Sequence, residues 1–173
     1  MDADAGRVFL DYSARKLEQL NGRIVTCLAK LSYQQVWSRG GENENAPANL
    51  VLHLCGNVQQ WIGTGLAGRP DVRKRGEEFA AREGVQPDAL SALLYESVRD
   101  AVAVLLAFPA SRLMEYVTIQ AYRVTALEAI NHVVEHFAQH AGQLIYATKL
   151  ATGEDLGFYT HLNQPGEHRQ RVP

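Results

Sequence analysis

Residues 125–153 read TALEAINHVVEHFAQHAGQLIYATKLATG, and this stretch decides the fold. It opens with Thr125-Ala-Leu-Glu128, a capping box in which threonine and glutamate side chains satisfy the first free N–H groups of a helix. Leu127, Ile130, Val134, Phe137, Leu144, Ile145 and Thr148 follow at helical spacing and form a buried face. Gly153 is placed to stop the helix. His132, His136 and His140 fall at four-residue steps, each about 40° off eclipse and roughly 6 Å along the axis. The three share one face, and Val133, Phe137 and Leu144 beside them put that face at the border of the buried stripe. Imidazoles near a core need partners, which water, carboxylates or a metal ion can supply.

Upstream, three more helical segments are expected. Val8 to Trp37 carries Val8, Leu10, Leu17, Leu20, Ile24, Cys27, Leu28 and Leu31 at helical spacing, with Asn21-Gly22 a point for a bend or a split. Arg39 to Ala46 is polar and glycine-rich, hence a loop. A second helix starts near Pro47, since proline suits a first helical turn. It buries Leu50, Val51, Leu54, Val58, Trp61 and Ile62, and Gly63, Gly65 and Gly68 end it before Pro70. A third opens at Pro87-Asp88, carries Leu90, Leu93, Leu94, Val98, Ala101, Val102, Leu105 and Leu106, and closes at Phe108-Pro109. Between the second and third lies Asp71 to Gln86, crowded with Arg73, Lys74, Arg75, Glu77, Glu78, Arg82 and Glu83. A charge run of this kind reads as a solvated connection, with a short helix around Glu77 to Arg82. Its length lets the chain cross the whole bundle, so that the next helix runs in the same direction as the last. No alternating strand pattern competes. The expectation is an all-α four-helix bundle with one long crossover, forming one domain over residues 1–173.

Two histidines one turn apart make a clamp whose ring nitrogens can converge on a point about 2.0–2.1 Å from each. His53 sits in the middle of the second helix, among Val51, Leu52 and Leu54. If the second and fourth helices are antiparallel neighbours, His53 completes a three-histidine set. Such a set leaves a fourth position open, the arrangement of catalytic rather than structural zinc. His132 and His140 are roughly 12 Å apart along the axis, so one ion does not take all three histidines of the fourth helix. Spacing alone leaves 132/136 and 136/140 both open. Asn57 and Trp61 continue the His53 face and, in an antiparallel pair, lie towards His132, so these three are pocket candidates.

The chain has 173 residues, 46% of them hydrophobic and 21% charged, with a formal net charge of −2 from 17 basic and 19 acidic side chains. That balance argues against a nucleic-acid partner. The longest apolar stretch, Ala101 to Phe108, is too short to span a bilayer. Met1-Asp2-Ala3-Asp4 is acidic and lacks the features of a signal peptide, so a cytoplasmic location is expected. Cys27 and Cys55 fit that location as free core thiols.

Four stretches resemble the DinB/YfiT-like superfamily: HLCGNVQQWI (53–62), RKRGEEF (73–79), HVVEHFAQHAGQ (132–143) and GEDLGFY (153–159). The resemblance implies an up-down-down-up four-helix bundle, often a homodimer, with a metal on one histidine of the second helix and two of the fourth. Carried over by position, these are His53, His136 and His140, which leaves His132 beside the site. Characterised members include metal-dependent transferases that use low-molecular-weight thiols and a thiol-dependent maleylpyruvate isomerase. Many members have arginine after the last histidine, where this chain has Ala141.

Two functional classes follow. One is a metal-dependent enzyme acting on a small molecule, either a thiol S-transferase or a hydrolase, with one divalent ion, zinc or nickel, as the main chemical actor. Imidazole ligands suit both metals. Tyr122, Tyr146, Glu135 and Glu128 are candidate helpers, and no nucleophile motif or carboxylate pair stands out. The other class is a non-catalytic metal-binding or stress-associated bundle, in which the ion ties two helices together.

Overall fold

Four long helices carry most of the chain: α1 (Ala3–Leu28), α3 (Pro47–Val58), α5 (Pro87–Ala107) and α6 (Ala126–Thr152). Two short helices, α2 (Tyr33–Val36) and α4 (Arg75–Ala80), a wide helical turn (Gln59–Thr64), a 3-10 turn (Ala110–Arg112) and a hairpin of β1 (Tyr116–Ile119) and β2 (Tyr122–Thr125) complete the set. The structure, a computed structural model, describes residues 3–160. Met1 and Asp2 of the acidic N-terminus, and residues 161–173 of the expected domain, lie outside the described residues. α1 and α3 lie diagonally across the bundle, each packed against both α5 and α6. Leu10, Leu17, Ile24, Leu54, Leu94, Leu105 and Phe137 meet in the core, fully buried.

Side-chain contacts fix the direction of each helix. Arg7, early in α1, donates to the carbonyls of Leu105 and Leu106 at the end of α5, so these two are antiparallel. Lys30, just past the end of α1, pairs with Glu154 just past the end of α6 at 2.6 Å, so these run parallel. His53 meets His136, and Trp61, just past the end of α3, meets His132 earlier in α6, so α3 and α6 are antiparallel. The order is therefore up-down-down-up, and the crossover between α3 and α5 spans the bundle as expected.

α6 keeps its expected limits. Thr125 accepts from the N–H of Glu128, the Glu128 carboxylate accepts from the N–H of Thr125, and Gly153 ends the helix at φ 71. Other expectations need correction. α1 stays helical through Asn21-Gly22 rather than splitting there, because one glycine costs only about 1 kcal/mol in a helix and the Leu17, Leu20 and Ile24 stripe is buried. It stops at Leu28 rather than Trp37, and Ser32 with Gln35 forms a separate capping box that starts α2. Val8, Leu93 and Leu106 face outward. For the last two the reason is geometric: Leu94 and Leu105 hold the inner positions, and adjacent helical residues are 100° apart.

The helical run from Pro47 ends among Gly63, Gly65 and Gly68 before Pro70 as expected, but not as a regular helix. It passes into a wider turn over Gln59–Thr64, in which the N–H of Gly65 donates to the carbonyl of Gln60, five residues back. Such π-type turns gather at functional sites, and this one carries Gln60 and Trp61. The hairpin contradicts the expectation of no strand. Its strands have four residues each, in register Tyr116↔Thr125 to Ile119↔Tyr122, and a two-residue turn at Gln120-Ala121. The turn lacks the Asn-Gly or Asp-Gly signal that marks such hairpins in sequence. Gln120 takes the positive φ, 57°, that glycine would usually supply. The hairpin packs close on the wide turn: a Cβ at Gly65 would overlap Ile119 and the Trp61 carbonyl. Among the described residues no helix is long and apolar enough to cross a membrane.

Candidate metal centre

α3 presents His53 and α6 presents His136 and His140 to one point between them. One ring nitrogen from each lies within 4.8 Å of the others. The Nε2 atoms of His53 and His136 are 2.8 Å apart. Two nitrogens bound to a tetrahedral ion would sit about 3.3 Å apart, so small side-chain adjustments bring this pair into range. His140 Nδ1 donates to the Gln143 side-chain oxygen at 2.6 Å, which leaves the Nε2 lone pair directed elsewhere. That Nε2 is buried with no hydrogen-bond partner. A buried polar atom without a partner calls for an explanation, and a cation at the meeting point of three imidazoles supplies one. Of the two registers open from spacing, the structure brings 136/140 together with His53. His132 stacks instead between Trp61, at 4.1 Å between ring centroids, and His136, at 5.5 Å.

Charge states favour ligation. Burial, reinforced by neighbouring His140 and His53, pushes His136 down to about 3. Burial also lowers His53, against the opposing pull of its Glu78 hydrogen bond, and lowers His140 and His132. Neutral imidazoles are the ligand form.

The crossover supplies what the sequence reading missed. Arg73 and Glu78 were expected in solvent, yet their side chains are only 4% and 11% exposed. Arg73 Nε and Nη2 donate to the two Glu78 carboxylate oxygens at 2.7 and 2.9 Å, a bidentate pair. Glu78 Oε2 lies 2.9 Å from His53 Nδ1. Arg73 Nη1 donates to Gln60 Oε1 at 3.0 Å, and Gln120 of the hairpin donates to the same oxygen at 2.7 Å. The pair rests on Gly56, where a Cβ would overlap Glu78 Oε1 and lie 2.9 Å from Arg73 Nε. A bare glycine in mid-helix beside His53 was the available signal.

A cavity of about 400 Å³ opens beside His53 and His136. Asn57, Trp61 and His132, the expected pocket residues, all line it, together with Tyr122 and Val124 of the hairpin. Asn57 Oδ1 is buried and has no hydrogen-bond partner. Arg75 lies at the cavity wall with its guanidinium over the Phe79 ring, and no acidic partner is found for it among the described residues. Glu128 also reaches the wall, but its carboxylate caps α6, and the N–H and hydroxyl of Thr125 hold its pKa down. Of the other candidate helpers, Glu135 is exposed and Tyr146 lines a separate depression on the His140 side. Ala141 is buried in the core, so the basic groups at this cavity come from Arg73 and Arg75.

Two solved structures share the fold. A conserved protein from Enterococcus faecalis superposes with a TM-score of 0.68 at 18% identity, covering 82% of this chain and 96% of that one. A DinB-like protein (YjoA) from Bacillus subtilis gives 0.64 at 17% identity, covering 87% and 96%. No curated protein matches the chain. Residues 4–162 match the family described as "Protein of unknown function (DUF1572)", a DinB-like family, and the chain belongs to it.

Proposed function

We propose that the protein is a metal-dependent enzyme that acts on a small molecule in the cavity beside His53 and His136. In this reading His53, His136 and His140 hold one divalent ion, zinc or nickel. The observation that carries it is the convergence of three neutral imidazoles, one with an unpartnered buried nitrogen, at the edge of an open cavity. An ion there would lower the pKa of a thiol or a water presented to it. The chain's own thiols do not serve as the nucleophile: burial pushes Cys55 up to about 12 and raises Cys27. A low-molecular-weight thiol from outside therefore fits better, as the DinB-like resemblance implies. The exposed Tyr122 ring offers a flat face to a substrate, the stacked Trp61 and His132 an aromatic wall, Asn57 an unpartnered acceptor, and Arg75 a cation. Glu128, engaged as a cap, is a poor general base. The buried free thiols accord with a reducing cytoplasm, and a homodimer is the assembly this reading adopts.

The test is a panel of bacterial thiols with a chromogenic electrophile. Metal-loaded protein should accelerate the reaction with at least one thiol, while metal-free protein and His136→Ala should not. Rates equal to those of free metal with every thiol would overturn the transferase reading. Ester or amide hydrolysis by the loaded protein would identify a hydrolase, and a metal-dependent rise in Tm without activity would identify an ion that only ties helices together.

A further inference from the structure

We infer that Glu78, held by Arg73 over Gly56, is a positioning residue that fixes the His53 ring with its Nδ1–H outward and its Nε2 lone pair towards His136 and His140. This deepens the metal reading above and rests on it for its purpose, though not for its geometry.

Two groups approach His53 Nδ1: Glu78 Oε2 at 2.9 Å and Arg73 Nη2 at 3.0 Å. They demand opposite tautomers. A carboxylate only accepts, so Glu78 requires a proton on Nδ1. A guanidinium only donates, so Arg73 would require a bare Nδ1 and would put the proton on Nε2, facing the other histidines. What each tautomer leaves unpaired decides between them. Nη2 has two hydrogens: one goes to Glu78 Oε2 at 2.9 Å, and the other can reach either the ring Nδ1 at 3.0 Å or the His53 carbonyl at 3.5 Å. Nε and one Nη1 hydrogen go to Glu78 Oε1 and Gln60 Oε1. A bare Nδ1 would set its lone pair 2.9 Å from the anionic Oε2 with no hydrogen between them, whereas a protonated Nδ1 gives Oε2 a donor and still leaves Arg73 the carbonyl, so Nδ1 donates to Glu78. A histidine that ligates through one nitrogen commonly donates its other N–H to a carboxylate, which sets tautomer and ring direction. Gln143 does the equivalent for His140 with an amide oxygen. The site thus has two ligands whose tautomer is set from behind, one from the crossover and one from α6.

Gly56 is part of the device. Any side chain there would displace the Glu78 carboxylate, because a Cβ already overlaps Oε1. The substitution Gly56→Ala therefore disturbs the clamp while keeping both charges.

The experiment uses the full chain. The His53 ring nitrogens are observed by 15N NMR in metal-free protein, and zinc affinity is measured by competition with a chromophoric chelator. Wild type should carry its proton on Nδ1. Glu78→Gln keeps an accepting oxygen and should retain that tautomer, with only a modest loss of zinc affinity. Glu78→Leu should lose the tautomer preference and weaken zinc about 10–100-fold. Gly56→Ala should shift both in the same direction and guards against a Glu78→Leu variant that fails to fold. A purely structural ion pair would lower Tm in Glu78→Leu yet leave tautomer and affinity unchanged, and that result overturns the inference. So does a wild-type His53 protonated on Nε2. Failure of wild type to bind zinc would end the metal reading, while the tautomer measurement would still decide the role of Glu78.

Discussion

The fourth long helix and the crossover both build the candidate centre, but they do so by different physics. α6 brings His136 and His140 inward because its apolar residues recur with the helical period. Burial there is spread over Ile130, Val133, Phe137 and Leu144, none of which needs a particular partner. The crossover brings Arg73 inward because a bidentate carboxylate and a bare Gly56 await it. Its neighbour Lys74 is 73% exposed in an ion pair with Glu77, and nothing in the local pattern separates the two cations. Apolar burial is written as periodicity, whereas a buried charge is written only in the partner that receives it.

That contrast breaks most readily at the ion pair. Arg73→Met or Glu78→Leu alone leaves a buried charge without its partner and should cost about 3–5 kcal/mol of stability in urea unfolding. The double variant should lose far less than the two combined. Single-variant losses below about 1 kcal/mol would mean that the crossover is solvated after all.

Acid gives the next effect. Burial holds His53, His136 and His140 below the ordinary imidazole value near ~6.5. The unfolded chain therefore binds more protons than the folded one below that pH. Stability of metal-free protein should be level above pH ~6.5 and fall as the pH drops below it, in the direction of the folded value of about 3 for His136. Urea midpoints measured from about pH 7.5 to about pH 5 check this, and a flat profile would contradict the burial of these rings.

Smaller effects sharpen the other side of the comparison. Thr125→Ala removes the α6 cap and should cost about 1 kcal/mol, read as a shift in Tm. Lys74→Ala should change stability by no more than about 0.5 kcal/mol. An equal loss at Lys74 and Arg73 would erase the distinction between adjacent cations.

The same division explains what was legible. The Thr125 capping box, the Gly153 stop and the parallel direction of α3 and α5 follow from local patterns and chain length, whereas the antiparallel meeting of His53 with α6 was only a condition of the spacing argument and came with the resemblance. The resemblance chose His136 and His140 over His132 and His136, which spacing alone left open. The break between Leu28 and Ser32 was hidden because apolar residues continue at helical spacing through Leu31. The hairpin was hidden because its strands are four residues long and Gln120 stands where a turn glycine would announce it. Gln60, Arg73 and Glu78 were hidden because each is satisfied across the chain, by residues 11 to 60 positions away or by the pair itself.

The most direct test of the central claim is a zinc titration of wild type beside His53→Ala, His136→Ala, His140→Ala and His132→Ala, on protein purified without a histidine tag. The account predicts one ion per wild-type chain, affinity lowered by orders of magnitude in the first three variants, and a much smaller loss in His132→Ala. Full zinc content in His53→Ala, or an equal loss in all four variants, would contradict it.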